Sequence, residues 1–250
     1  MGDLDHPFVV SAVALGAQWL AVYAGRLFRE RNQSLSEDQR KDFDVVQAAT
    51  LTLLALIIGF TFSMAITRYD QRKNYEEAEA NAIGTEYLRA DLLPSEDAAH
   101  ARELLRKYLE RRIAFYQARD DSSLGQIDAD TTKLEAELWS TVLRAAKVQP
   151  TLVVALAVSG MNDVLNSRGY TQAAWWNRIP VAAWAMMGLI AIAGNLMVGY
   201  GAHRRGAFLF VLPIVVSIAF LLIADIDSPR GGIIRVLPQN LISLSRSMTP

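Results

Sequence analysis

"GFTFSMAITRYDQRKNYEEAEANAIG", residues 59–84, begins as hydrophobic sequence of membrane-crossing grade and ends as a charged, soluble-looking helix. No proline interrupts it. Just upstream, residues 45–67 run 23 positions without a charged side chain. A helix needs roughly 20 apolar residues to cross a bilayer core of about 30 Å. Downstream, Arg68, Asp70, Arg72, Lys73, Glu76, Glu77 and Glu79 arrive densely, while Tyr75, Ala78, Ala82, Leu88 and Leu92 keep helical spacing. The next strong breaker is Pro94; Gly84 alone costs a helix only about 1 kcal/mol relative to Ala. Two readings stand side by side. One is a single helix over residues 45–92, about 70 Å long at the usual rise per residue. The other is a membrane span followed by a separate soluble helix, with a kink near Gly84. The small residues Ala78, Ala80, Ala82 and Gly84 would let a partner helix approach closely.

The rest of the chain segregates in the same way. Hydrophobic residues make up 52% of the 250 and charged residues 20%, so the mean hydropathy of +0.16 averages very apolar and very polar blocks. Residues 7–25, 179–202 and 207–224 are, like 45–67, free of charge. Four such stretches predict four transmembrane helices, because in lipid a helix satisfies its own backbone polar groups. The first is not read as a secretory signal, since its leading "MGDLDHP" is acidic where a signal is basic. Trp175, Trp176 and Arg178 before the third span fit an interfacial belt, with Pro180 in its first turn. His203, Arg204 and Arg205 close the tight connection to the fourth span, which Pro213 is placed to kink.

About 110 residues of different character separate spans two and three. Leu104, Leu105, Tyr108, Leu109, Arg112, Ile113 and Tyr116 recur at three-to-four spacing and predict an amphipathic helix. Leu134, Leu138, Val142 and Ala145 predict a second. "DDSSLGQIDAD" between them (residues 120–130) reads as a loop with a helix start at its end. Residues 150–166, apolar in their first half, are too short to span and read as a buried helix of the same bundle. No stretch here alternates with period two, so no sheet is expected. The predicted fold is an all-α membrane protein: four transmembrane helices with a helical membrane-distal domain inserted between spans two and three. Its parts are residues 1–67 (helices 1 and 2), 68–178 (soluble bundle continuous with helix 2), 179–224 (helices 3 and 4) and 225–250 (C-terminal tail).

Several classes of function are excluded or left without support. A net charge of −1 gives no general attraction to nucleic acid. Without cysteine there is no disulfide framework, thiolate zinc site or thiol nucleophile. Walker, G-x-G-x-x-G, H-E-x-x-H and G-x-S-x-G motifs are absent. Neither an enzyme nor a cofactor is expected. His6, His100 and His203 fit no metal-ligand spacing, and Glu76, Glu77, Glu79 and Glu86 have no histidine beside them. Spans without charge argue against a proton-coupled transporter.

The block "GFTFSMAITRYDQRKNYEEAEANAIGTEYLRADLLP" resembles the signature of the bestrophin-like bacterial membrane proteins. "MNDVLNSRG", "RIPVAAWAMMGLIAIAGNLMVGYG" and "LLIADIDSPRGGIIRV" fit the same family, and the resemblance covers residues 45–236. It implies a relative of bestrophins, which are anion channels built as homopentamers. Their second helix lines the pore, carries a hydrophobic neck and continues past a Y-x-R into a membrane-distal helical domain; "RYDQRK" is loosely similar to that feature. The implied protein is a homo-oligomeric ion channel of the bacterial inner membrane, with lipid, its own copies and ions such as chloride as its partners. The alternative is a non-conducting scaffold or sensor that presents its bundle to a partner protein.

Such a channel needs large apolar side chains stacked along a pore helix. Leu54, Ile58, Phe62 and Ile66, four apart, are the neck candidates; facing lipid or another helix is the competing reading. Arg68, Arg72 and Lys73 could concentrate anions at the pore entrance or serve as interfacial anchors. Thr50, Thr61, Ser63 and Thr67 carry hydroxyls that more often bond their own helix. Asp225 and Asp227 are weak candidates for a hard cation, against the reading of a helix end with a turn. Asn195, mid-span, is placed to bond across helices. Basic residues divide evenly between the two sides of the membrane, so charge leaves the orientation open and the resemblance alone puts the bundle in the cytoplasm.

Overall fold

The structure, a computed structural model, describes residues 6–31, 35–202 and 206–248. His203, Arg204, Arg205 and all of "MGDLDHP" before His6 lie outside those residues. The described residues are helical apart from turns and short connections, with no strand among them. The helices are α1 (Pro7–Arg31), α2 (Glu37–Arg89), α3 (Ser95–Gln117), α4 (Asp121–Val148), α5 (Leu152–Trp176), α6 (Val181–Gly201), α7 (Val211–Asp227) and α8 (Gln239–Ser247). Among the described residues, the stretches long and apolar enough to cross a membrane are Pro7–Arg31, Glu37–Leu92, Leu152–Gly201 (which joins α5 to α6) and Phe208–Asp227. The protein is an integral membrane protein.

α2 decides between the two readings of residues 59–84: it is unbroken for 53 residues. It starts in a capping box, in which Gln39 N donates to Ser36 Oγ at 3.3 Å and Ser36 N to Gln39 Oε1 at 3.0 Å. Gly84 does not interrupt it. A methyl group there would meet Leu244 Cδ1 of α8 at 3.0 Å, so the missing side chain makes room for a packed leucine. Pro94 ends the run, because the residue before a proline is pushed out of the helical region. Leu93 is accordingly extended, and the last turn tightens to a 3-10 turn at Ala90–Leu92.

The chain packs as two compact units, and α2 belongs to both. One comprises the chain up to Arg68 together with Arg178–Arg235; the other comprises Tyr69–Asn177 and the chain from Val236 onward.

In the first unit α1 packs on α6 and α7. Lipid tails are as apolar as leucine, so burial does little to drive helices together in a membrane; close packing and polar bonds do that work. Both are present. Gly25 of α1 lies against the Leu196 carbonyl of α6, Gly199 of α6 lies against the Val22 carbonyl of α1, and neither site has room for a Cβ. Gly194 admits Leu51 of α2, whose Cδ2 would lie 3.1 Å from an added methyl. Asn195 does bond across helices: its Nδ2 donates to Gln18 Oε1 at 2.9 Å, and Gln18 Nε2 donates to Ser217 Oγ at 3.1 Å. All three side chains are buried, so α1, α6 and α7 are pinned in register by one amide–amide–hydroxyl chain. Pro213 is the third residue of α7, which follows directly on a 3-10 turn at Ala207–Phe210.

In the second unit α3, α4, α5, α8 and the end of α2 close over Leu104, Leu105, Tyr108, Leu109, Leu138, Val142, Ala145, Val154, Ala157 and Met161. The amphipathic spacings of α3 and α4 were thus sound guides to the core. "DDSSLGQIDAD" was not a loop. Asp120 caps α4 by accepting from Ser123 N at 2.7 Å and Ser122 Oγ at 2.6 Å, and Ile127 and Thr131 then bury a helical face. The Ser122 hydroxyl first, and then the Ser123 N–H, hold the Asp120 carboxyl down at about 2. Thr151 caps α5 through Val154 N at 3.2 Å. α5 continues to Trp176, and its apolar start is only half buried: Val154 and Ala157 are covered while Leu152, Val153 and Leu156 are exposed. Trp175 belongs to a packed aromatic cluster with Phe115 and Tyr116, at 5.0 and 5.5 Å between centroids, rather than to an interfacial belt.

Candidate functional site

The span half of α2 carries the neck candidates, and they do not share one environment. Leu54 is only 2% exposed, Ile58 and Phe62 are half-buried, and Ile66 is exposed. The reason is geometric. Four residues turn a helix by about 40° more than a full circle, so an i, i+4 stripe drifts by about 120° over three steps. It leaves the packed face at Leu54 and reaches an open one at Ile66. The packed face itself runs through Leu54, Thr61 and Ala65. Leu53, Leu56, Phe60 and Met64 are exposed, so much of this helix has no cover within its own chain.

The threonine hydroxyls on the span are satisfied locally. Thr50 donates to Val46 O at 2.8 Å, Thr61 to Ile57 O at 2.8 Å and Thr67 to Ser63 O at 2.9 Å. They back-bond their own helix and offer only a remaining acceptor.

The three basic candidates separate just as clearly. Arg68 is half-buried, with Nη1 3.9 Å from Asp227 Oδ1. Arg72 is 1% exposed and donates through Nε to Ala174 O of α5 at 3.3 Å, so its charge points into the second unit. Lys73 is exposed.

Asp225 and Asp227 spend their oxygens on backbone N–H groups. Asp225 accepts from Ile233 N at 2.7 Å and Ile234 N at 2.8 Å, which folds the chain after α7 back on itself. Gly232 lies so close to Asp225 that a Cβ would sit 2.6 Å from its carbonyl oxygen, which explains the glycine. Asp227 accepts from Ile179 N at 3.1 Å, just before α6 begins. Among the described residues no group of three or more His, Cys, Asp or Glu side chains is placed to hold a metal ion.

Beyond Arg68, α2 becomes the polar spine of the second unit. Glu76 accepts from Asn240 N, Asn240 Nδ2 and Leu241 N at 2.9, 2.6 and 3.0 Å, which caps α8. Glu79 is fully buried; it pairs with Arg112 of α3 and accepts from Tyr116 Oη at 3.1 Å and Thr171 Oγ1 at 3.2 Å. The Arg112 guanidinium also lies 4.5 Å from the Phe115 ring centroid. Burial, the largest single influence, disfavours the arginine's charge, but Glu79 and the Tyr108 and Tyr116 phenols together more than offset it and hold the cation protonated. Burial first, and Glu79 second, push the Tyr108 and Tyr116 phenols up. Sequence reasoning did not find this network, although a signal existed. Arg112 falls on the apolar face of α3, and a buried cation requires a partner.

The molecule can be placed among known proteins on this geometry. The bestrophin-like domain family matches residues 9–241. No curated protein matches. Solved structures do: a bacterial bestrophin homolog from Klebsiella pneumoniae has a TM-score of 0.64 at 13% identity over 96% of this chain and 95% of that one. Two single-substitution variants of that homolog give TM-scores of 0.62 and 0.64 at 12% identity, covering 96% and 98% of this chain and 96% and 99% of theirs. At such identities the likeness concerns the fold, whereas the family match spans nearly the whole sequence. The chain belongs to the bestrophin-like family.

Proposed function

We propose that the protein is a homo-oligomeric ion channel, a pentamer with a preference for anions, in a bacterial inner membrane. α2 stands nearest the axis. The observation that carries this reading is the span half of α2: a continuous helix with Leu53, Leu56, Phe60, Met64 and Ile66 left uncovered by its own chain. An apolar helix of this kind can take neighbouring copies on its flanks and a pore on its remaining face. Family membership supports a channel-type fold. Ile58, Phe62 and Ile66 are assigned to the neck, which would gate by dewetting. Leu54, packed inside the chain, holds the helix in position one turn before them. Lys73 and Arg68 supply positive potential at the pore entrance, while Arg72 belongs to the scaffold. The second unit is the membrane-distal domain and faces the cytoplasm.

Purified oligomers fused into planar bilayers test this directly. Currents should appear, favour chloride over sodium, and change in Ile58→Ala and Phe62→Ala. Silent bilayers from intact oligomers would overturn the reading. With no native cysteine, a single Ser122→Cys, exposed on α4, reports the side of the second unit by membrane-impermeant labelling.

A second reading rests on the exposed corner formed by Val148, Leu152, Val153 and Leu156. In a non-conducting scaffold or sensor, that corner would receive a partner protein. Silent but intact oligomers, together with a co-purifying protein lost on Leu152→Asp, would favour it.

A further inference from the structure

Three glutamates of α2 are buried in the second unit, and they are not alike. Glu76 and Glu79 have both carboxylate oxygens engaged by donors. Glu86 is 1% exposed, and neither of its oxygens has a hydrogen-bond partner. It is seated on Gly160 of α5, where a Cβ would overlap its Oε2, so the glycine is what admits the carboxyl group. Arg89 Nη1 reaches the same spot, 2.5 Å from where that Cβ would lie, without hydrogen-bonding to the acid. Asp163, one turn further along α5, is exposed. Asp91 of the 3-10 turn is exposed and paired with Arg102 of α3. The charged groups acting on Glu86 are therefore Arg89 from its own helix and Asp163 from the facing one. An ionised carboxylate without a donor is costly to bury, whereas the neutral acid is far less so.

We propose that Glu86 is a proton-binding site that couples the α2–α5 seam of the second unit to ambient pH. Protonated, the neutral carboxyl closes against Gly160. On deprotonation the proton goes to bulk water, and the anion left in the seam has no donor in this packing, with Arg89 beside it and Asp163 nearby, so the seam opens for water or a reoriented Arg89 to supply one. Burial pushes the Glu86 carboxyl up to about 8, with Arg89 opposing the rise and Asp163 adding to it. The sign follows from proton counting. Between about 4.5 and about 8 the folded state holds a proton that the unfolded state has lost, so stability falls as pH rises through that window and levels off above it. Glu86 would bind its proton in this way whether or not the protein conducts ions.

The full-length oligomer in detergent provides the test. Infrared difference spectra between pH 6 and pH 9 should contain a protonated-carboxyl C=O band that titrates with a midpoint near 8. Glu86→Gln, an isostere of the neutral acid, should lose that band, and its backbone amides along α5 should exchange hydrogen at rates less dependent on pH than those of the wild type. No titrating band in the wild type, or a band retained in Glu86→Gln, would overturn the proposal. If Glu86→Gln does not fold, Asp163→Asn changes only an exposed side chain. It should move the midpoint to lower pH, and an unmoved midpoint would overturn the proposal equally.

Discussion

The two halves of α2 follow opposite rules on one continuous helix. Residues 45–67 carry no charge, are widely exposed within the chain, and are fixed at a few points by small residues such as Gly194 against Leu51. Beyond Arg68 the helix buries Arg72, Glu76, Glu79 and Glu86. The contrast shows where specificity comes from on each side. In lipid, apolar side chains need no partner from their own chain, so register depends on close backbone approach and a few amide and hydroxyl bonds. In the second unit the apolar core supplies the burial, and each buried charge except Glu86 finds a particular partner that fixes how a neighbouring helix docks.

The largest expected effect lies in the second half. Arg112→Ala leaves Glu79 buried without its cation. Removing one partner of a buried pair typically costs about 3–5 kcal/mol. Thermal melting of the purified protein should register a loss of that order. The double variant Glu79→Leu and Arg112→Leu should be less damaging than either single change, since no charge is then stranded. If the double variant is as damaging as the sum of the two singles, Glu79 and Arg112 are not coupled and neither is stranded by loss of the other.

Next comes the backbone contact in the first unit. Gly199→Ala places a methyl on the Val22 carbonyl, which is main chain and cannot swing aside as a side chain would. Overpacking of this kind costs about 1–3 kcal/mol and should separate α1 from α6. Gly16→Ala, on the same α1, meets nothing within 4 Å and should be neutral or slightly stabilising. Equal changes in the two variants, read by melting in detergent, would mean that close backbone approach at Gly199 does not set register in the membrane half.

How far the sequence disclosed this arrangement depended on whether the deciding information was local. The spans were legible because a soluble core rarely buries a run of some 20 residues without a single charge. The faces of α3 and α4 were legible from spacing alone. The continuity of α2 was not, because Gly84 reads equally as a kink or as a contact, and Leu244, which settles it, lies 160 residues away. The start of α4 was hidden by a composition of Asp, Ser and Gly that suits caps as well as loops. At the candidate site, four-residue spacing identified a stripe but could not reveal its drift from buried Leu54 to exposed Ile66. Arg72 and Lys73 are adjacent in sequence and look alike there; only the fold buries one and exposes the other.

The smallest of these effects concerns Glu76, and it sharpens the comparison most finely. α8 has nine residues, too short to hold together on propensity alone, and three N–H donors at its start converge on one carboxylate from α2. Glu76→Ala removes the acceptor and strands those donors. Losing such a cap costs about 1 kcal/mol, too little to unfold the unit but enough to let a short helix fray. Hydrogen exchange should accelerate over residues 239–247 while the amides of α3 and α4 keep their protection. Glu76→Gln keeps one acceptor oxygen and loses the charge, so it should restore protection only in part. Full restoration would make the contact a neutral hydrogen bond. No restoration would mean that the negative charge at the α8 N-terminus carries the docking, and that even the weakest link in this half of α2 is ionic where the membrane half has none.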